Sequence, residues 1–126
     1  MNIFESLRFS FGGGLLFFDK AEFIYLTINN EDIAEITIET IGSSEKEEKY
    51  QYKLDGELVK KFEDFAYSLR KRYLYPCMTD VAHPNLVKTT KDGKRYYNEF
   101  YPKDIMGLLK RFLPENIFNK IYEKYN

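Results

Sequence analysis

The chain's one cysteine and one histidine fall in a single short stretch, "YPCMTDVAHPN". Cys77, Asp80 and His83 are the group types of a nucleophile–base pair, in which an imidazole takes the thiol proton and a carboxylate orients the ring. Members of such sets usually come from distant segments, and three residues in a proline-bounded loop carry no mutual geometry of their own. A small loop thiol beside an exposed or capping imidazole is the simpler reading. One Cys and one His also exclude a disulfide framework, a multi-cysteine metal site and most zinc constellations. No cofactor is expected.

Two other patterns invite chemistry. Gly12-Gly13-Gly14 could let backbone amides approach a phosphate, but a Walker loop needs Gly-Lys-Ser/Thr opening a helix. Here the next residues are "LLFFD", a strand-like run, so turn geometry is preferred. The adjacent carboxylates Glu47-Glu48 and Glu63-Asp64 point apart on any regular element and form no sheltered acid–base pair. The expectation is a protein that is not an enzyme.

Binding is better supported. Arg70-Lys71-Arg72 precedes Tyr73 and Tyr75, and Lys94-Arg95 precedes Tyr96 and Tyr97. That pairing could neutralise phosphates and stack bases, so a nucleic-acid-binding module working through the second half is one alternative. The charge is divided along the chain. Twelve acids against five bases up to Glu57 give −7, and eight acids against fourteen bases from Leu58 onward give +6, for a total of −1. An acid-rich first half with tyrosines fits a basic protein partner such as a toxin or nuclease better than it fits nucleic acid.

These side chains must be carried by a small fold. The chain's 126 residues suit one domain, 1–126, and the 31% charged content is that of an ordinary globular protein. Eleven Phe and eleven Tyr without Trp make those rings the main source of large buried area. No run is long enough to cross a membrane, and the start "MNIFESLRFSFGGG" lacks the apolar stretch of a signal peptide, so a cytoplasmic location is expected.

Residues 1–54 read as strands. "SLRFSF" sets Leu7, Phe9 and Phe11 against Arg8 and Ser10, and Leu15 to Phe18 resembles a further short strand. "EFIYLTI" sets Ile24, Leu26 and Ile28 against Phe23, Tyr25 and Thr27. After "NNED", "IAEITIET" sets Ala34, Ile36 and Ile38 against Glu35, Thr37 and Glu39. "KYQYKL" follows with Tyr50, Tyr52 and Leu54 on one side. This period of two, broken by tight turns, predicts an antiparallel meander of four to five strands.

Residues 55–126 read mainly as helices. Asp55 is the expected N-cap of a helix that buries Leu58, Phe62, Phe65, Ala66, Leu69 and Tyr73 and ends before Pro76. A second helix opens at Pro102 and buries Ile105, Leu108, Leu109 and Phe112. A third starts near Pro114 and carries Ile117, Phe118, Ile121, Tyr122 and Tyr125. Between them "KTTKDGKRYYNEFY" predicts a hairpin turning at Asp92-Gly93, with Lys88 to Thr90 facing Tyr96 to Asn98. Of Tyr96 and Tyr97, one ring should enter the core and one should face out. The fold class is α+β.

The amphipathic "ELVKKFEDFAYSLRKRY", the "KDGKRYYNEFYP" hairpin and the Pro-led "PKDIMGLLKRFL" together resemble the small immunity proteins of bacterial toxin systems. Many of those show a helix, a DG-centred hairpin with an aromatic soon after, and a terminal helix introduced by Pro. Many carry Trp three residues after the DG, where this chain has Tyr96. The resemblance implies a stoichiometric inhibitor that neutralises a toxin; a phage-encoded inhibitor of a host defence system has the same size and acidity. With helices on the Ile/Leu/Ala side of the sheet, the expected partner-binding residues are Tyr25, Glu35 and Glu39 on the other side. Asp92, Arg95, Tyr96 and Tyr97 are expected to contribute from the hairpin.

Overall fold

The computed structural model describes residues 4–11, 20–42, 46–69, 73–74 and 84–124. Gly12-Gly13-Gly14, Leu15 to Phe18, Arg70 to Arg72, Cys77, Asp80, His83 and Tyr125 lie outside the described residues. Among those described, seven strands form one sheet: β1 (Phe4–Phe11), β2 (Lys20–Asn29), β3 (Ile33–Gly42), β4 (Lys46–Lys53), β5 (Tyr73–Leu74), β6 (Asn85–Thr90) and β7 (Arg95–Glu99). Three α-helices join them, α1 (Gly56–Ser68), α2 (Met106–Lys110) and α3 (Glu115–Lys124), with a turn of 3-10 helix at Pro102–Asp104 before α2. The class is α+β, as the sequence predicts.

The spatial order is β4-β3-β2-β1-β6-β7-β5, and every neighbouring pair is antiparallel. The meander therefore runs outward from β1 to β4. The hairpin read from "KTTKDGKRYYNEFY" does more than bridge two helices. It adds β6 and β7 to the free side of β1, which makes β1 a central strand.

Alternation dictates which side is covered. Leu7, Phe9, Phe11, Ile24, Leu26, Ile28, Ala34, Ile36 and Ile38 are all buried, and they form one cluster with Leu58, Phe62, Ala66, Leu109, Ile117 and Ile121 of the helices. Burying each of the Leu, Ile and Phe side chains contributes about 1.5–3 kcal/mol. In the absence of Trp, phenyl rings fill the widest space. Phe9 meets Phe62 at 5.7 Å and Phe100 edge-on at 5.5 Å, and Phe112 bridges Phe62 at 6.1 Å to Tyr52 at 5.8 Å.

Local signals set the ends. The Asp55 carboxylate accepts the Leu58 N–H at 2.7 Å, and Glu57 sits in the first turn of α1, where an acid favours the helix N-terminus. At the β2–β3 turn the Asn29 side chain accepts the N–H groups of Glu31 at 2.8 Å and Ile33 at 3.2 Å. Asp32 adopts a φ of 63°, a left-handed conformation that a short polar side chain tolerates. The hairpin loop is three residues, Lys91 to Gly93: Thr90 N–H donates to Lys94 O at 2.9 Å, and Gly93 takes a φ of 88°. That loop length pairs Lys88 with Tyr96 and Leu86 with Asn98, two residues away from the pairing expected.

Helix α1 also stops sooner than its apolar spacing predicts. It ends at Ser68, Leu69 is extended, and Tyr73 is a strand residue paired with Tyr97. Lys88 explains part of this. Its cross-strand position opposite Leu7 turns it into the helix-covered face, where it is 1% exposed. Its ammonium donates to Ala66 O at 2.9 Å in the last turn of α1 and lies 4.6 Å from the Tyr67 ring centroid. A cation there satisfies an end carbonyl and meets the negative end of the helix dipole. Neighbouring Asn98 is 1% exposed, and among the described residues neither polar atom of its side chain has a hydrogen-bond partner.

Two substitutions test this interior. Lys88→Ala removes the stem and the helix-end hydrogen bond, and should cost about 2–4 kcal/mol in urea unfolding. Asn98→Leu replaces two unpaired polar atoms with hydrocarbon of similar shape and should raise stability by about 1–3 kcal/mol in the same assay.

Candidate binding face of the sheet

Alternation that buries one face leaves the other as a grid of known register. On β3 the outward residues are Glu35, Thr37 and Glu39. Thr27, Tyr25 and Phe23 of β2 stand directly opposite them on one side. Gln51, Lys49 and Glu47 of β4 stand opposite on the other. On β1, Arg8 faces Thr27 and Ser10 faces Tyr25. Tyr25 thus occupies the notch between Glu35 and Glu39, whose positions on one strand lie about 13 Å apart. The structure brings these three expected binding residues together, each half-buried.

The electrostatics around Tyr25 are uneven. The Arg8 guanidinium lies 4.5 Å from the Tyr25 ring centroid, a cation–π contact on the exposed side. Glu35 accepts a hydrogen bond from the Gln51 amide at 3.1 Å. Glu39 has no hydrogen-bond or ion-pair partner among the described residues, and its directly opposite neighbour is Glu47, another carboxylate. Like charges at such a position are destabilising, because adjacent strands hold the two side chains close. Lys49 relieves Glu47 at 3.4 Å from within its own strand. The Tyr25 phenol titrates above its ordinary range, chiefly through burial, then through repulsion from Glu39, with Arg8 opposing.

The four hairpin residues do not join this cluster. Asp92 closes the loop: its carboxylate is hydrogen-bonded to the Thr90 hydroxyl and accepts the Lys94 N–H at 3.3 Å, and both bonds hold its pKa below the usual range. Arg95 is exposed and shares the sheet face of Tyr25, but β1 and β6 separate β7 from β2. Tyr97 shares that face too, opposite Val87, and is only 5% exposed. Tyr96 sits opposite Lys88 on the helix-covered face, half-buried. One ring is thus on each side, yet neither stands free as a platform.

Arg8 and Glu47 are the functional candidates that sequence reasoning did not single out. Their parity on their strands put both on the outward face; their neighbours required the pairing of β1 with β2 and of β3 with β4. Among the described residues there is no group of three or more His, Cys, Asp or Glu able to hold a metal ion, and no helix long and apolar enough to cross a membrane. No protein-family model, curated protein or solved structure matches the chain.

The raised Tyr25 pKa has a sign that can be checked. The folded phenol keeps its proton to higher pH than the unfolded one, so the stability it contributes is complete below about pH 10 and is lost as pH rises through the folded value. Tyr25→Phe should therefore flatten the fall in urea stability above about pH 10 relative to wild type. Glu39→Gln should shrink that fall without abolishing it.

Proposed function

We propose that this chain is a stoichiometric protein-binding inhibitor of the immunity type, which neutralises a basic toxin such as a nuclease through the open face of its sheet. The observation that carries the reading is the Tyr25 notch, an amphipathic ring between Glu35 and a Glu39 that has no ion-pair partner among the described residues, on an antiparallel scaffold. Unpaired carboxylates accelerate encounter with a cationic surface, and a half-exposed tyrosine supplies contact area at low entropic cost. The resemblance of the helix, hairpin and Pro-led helix to immunity proteins supports the same class. A nucleic-acid-binding role for the second half has weaker support, because a reader of bases needs ring faces in the open. Tyr96 and Tyr97 are half-buried and buried.

Association kinetics against a set of catalytically inactivated cationic nucleases test the proposal, with single-stranded and duplex oligonucleotides as controls. A one-to-one complex is expected with a cognate member. Glu35→Lys combined with Glu39→Lys should slow its association about tenfold at low salt and by less at high salt. An unchanged association rate would remove the acidic face from the interface. Oligonucleotide binding tighter than about 1 mM at low salt, with no nuclease bound, would favour the nucleic-acid alternative.

A further inference from the structure

The sheet ends differently on its two sides. Among the described residues, one edge is β5, two residues long, and the other is β4, eight residues long and with no strand on its outer side. The Leu54 N–H donates to Asp32 O at 2.8 Å, which fixes the hydrogen-bonding phase at the start of the β3–β4 ladder. Because that phase alternates, Tyr52, Tyr50, Glu48 and Lys46 direct their backbone groups at β3, while those of Lys53, Gln51, Lys49 and Glu47 point outward. A long edge with outward N–H and C=O groups is a template for another strand.

We infer that β4 pairs antiparallel with β4 of a second copy of this chain, about a two-fold axis at Tyr50. Only registers that oppose outward-facing residues to outward-facing residues can form the ladder, which leaves alternatives two residues apart. With Tyr50 on the axis, Glu47 faces Lys53 and Lys49 faces Gln51, each pair occurring twice by symmetry. The registers on either side put Lys49 opposite Lys49 or opposite Lys53, which places like charges in direct cross-strand contact. Charge therefore selects this register over both of its neighbours.

The side chains agree with that choice. Tyr50 is 38% exposed and would meet its symmetry mate at a non-hydrogen-bonded position, where opposed side chains approach most closely. Lys53 donates one hydrogen bond to Glu31 O at 2.7 Å, and an ammonium has three protons, so it can also face Glu47 of the second copy. That contact would add a second counter-charge to Glu47, beside the Lys49 ammonium of its own strand. Tyr25, Glu35 and Glu39 stay uncovered in the dimer, so it stands or falls separately from the proposed inhibitory role.

Sedimentation equilibrium of the purified chain tests the dimer. Wild type is expected to show a concentration-dependent monomer–dimer equilibrium. Gln51→Pro removes an outward N–H without touching the ladder to β3 and should give a folded monomer by circular dichroism. Glu47→Lys and Lys53→Glu should each weaken dimerisation about tenfold, and the two together should restore it to within about threefold of wild type. A wild-type chain that is monomeric up to about 1 mM would overturn the proposal, as would a Gln51→Pro dimer of undiminished affinity. If Gln51→Pro fails to fold, the charge exchange decides alone, and a double variant no tighter than the singles would overturn it.

Discussion

Phe9 lies on the central strand of a sheet whose alternation makes one side apolar and the other largely polar, and the remaining architecture follows from that division. Leu7, Phe9 and Phe11 require an apolar cover, whereas Arg8 and Ser10 between them require water or polar neighbours. The same alternation on β2 and β3 extends the demand across the meander. The helical second half supplies the cover through Leu58, Phe62, Ala66, Leu109, Ile117 and Ile121. Ring-to-ring contacts from Phe100 through Phe9 and Phe62 to Phe112 make the layer continuous in a protein without Trp. Phe9 meets Phe62 of α1 at a tilt of 59° and Phe65 nearly stacked at 29°, while Phe100 and Phe112 pack edge-on against the same rings.

The opposite face inherits its character from the same rule. Because the described helices lie on the other side, Phe23, Tyr25 and Thr27 stand beside Glu35, Thr37 and Glu39, with polar neighbours from β1 and β4 at their flanks. A carboxylate facing another carboxylate across β3 and β4 does nothing for the stability of the isolated chain. Under the proposed function, the field it projects would favour a cationic partner, and at the β4 edge a second copy would bring Lys53 beside Glu47. Lys88 is the reverse case. It is a charge turned inward, held by the terminal carbonyl of a helix and the face of a tyrosine, where it ties the hairpin to α1.

Much of the fold was legible because its signals are local. The period of two in residues 33–40, the Asp55 cap, the Asp92-Gly93 turn and the Pro102 helix start all rest on contacts within a few residues. The shared face of Tyr25, Glu35 and Glu39 was legible for the same reason, once the turn at Asn29 to Asp32 was recognised. The end of α1 was not, because Phe65, Leu69 and Tyr73 keep helical spacing while strand pairing with β7 and the Lys88 ammonium act from far along the chain. The hairpin register was missed by two residues because the loop closes at Lys94, which bonds to Thr90, so Lys94 and Arg95 already belong to the ladder, and the positive φ of Gly93 serves a three-residue turn. Tyr96, Tyr97, Asp92 and Arg95 looked like one group in the sequence, and strand alternation and loop closure send them to different places.

The sequence by itself determined the class, the order of most elements and the side each strand residue takes, since side-chain alternation and helix capping depend only on near neighbours. Tertiary structure decided what those sides face. The insertion of β6 and β7 beside β1 buried Lys88 and Asn98, and the separation of β7 from β2 divided the expected binding residues. The placement of β4 at the rim left its outward backbone groups without a strand partner among the described residues. Each of these outcomes depends on which strands are neighbours, and pairing between distant segments leaves no periodic trace in the chain that makes it.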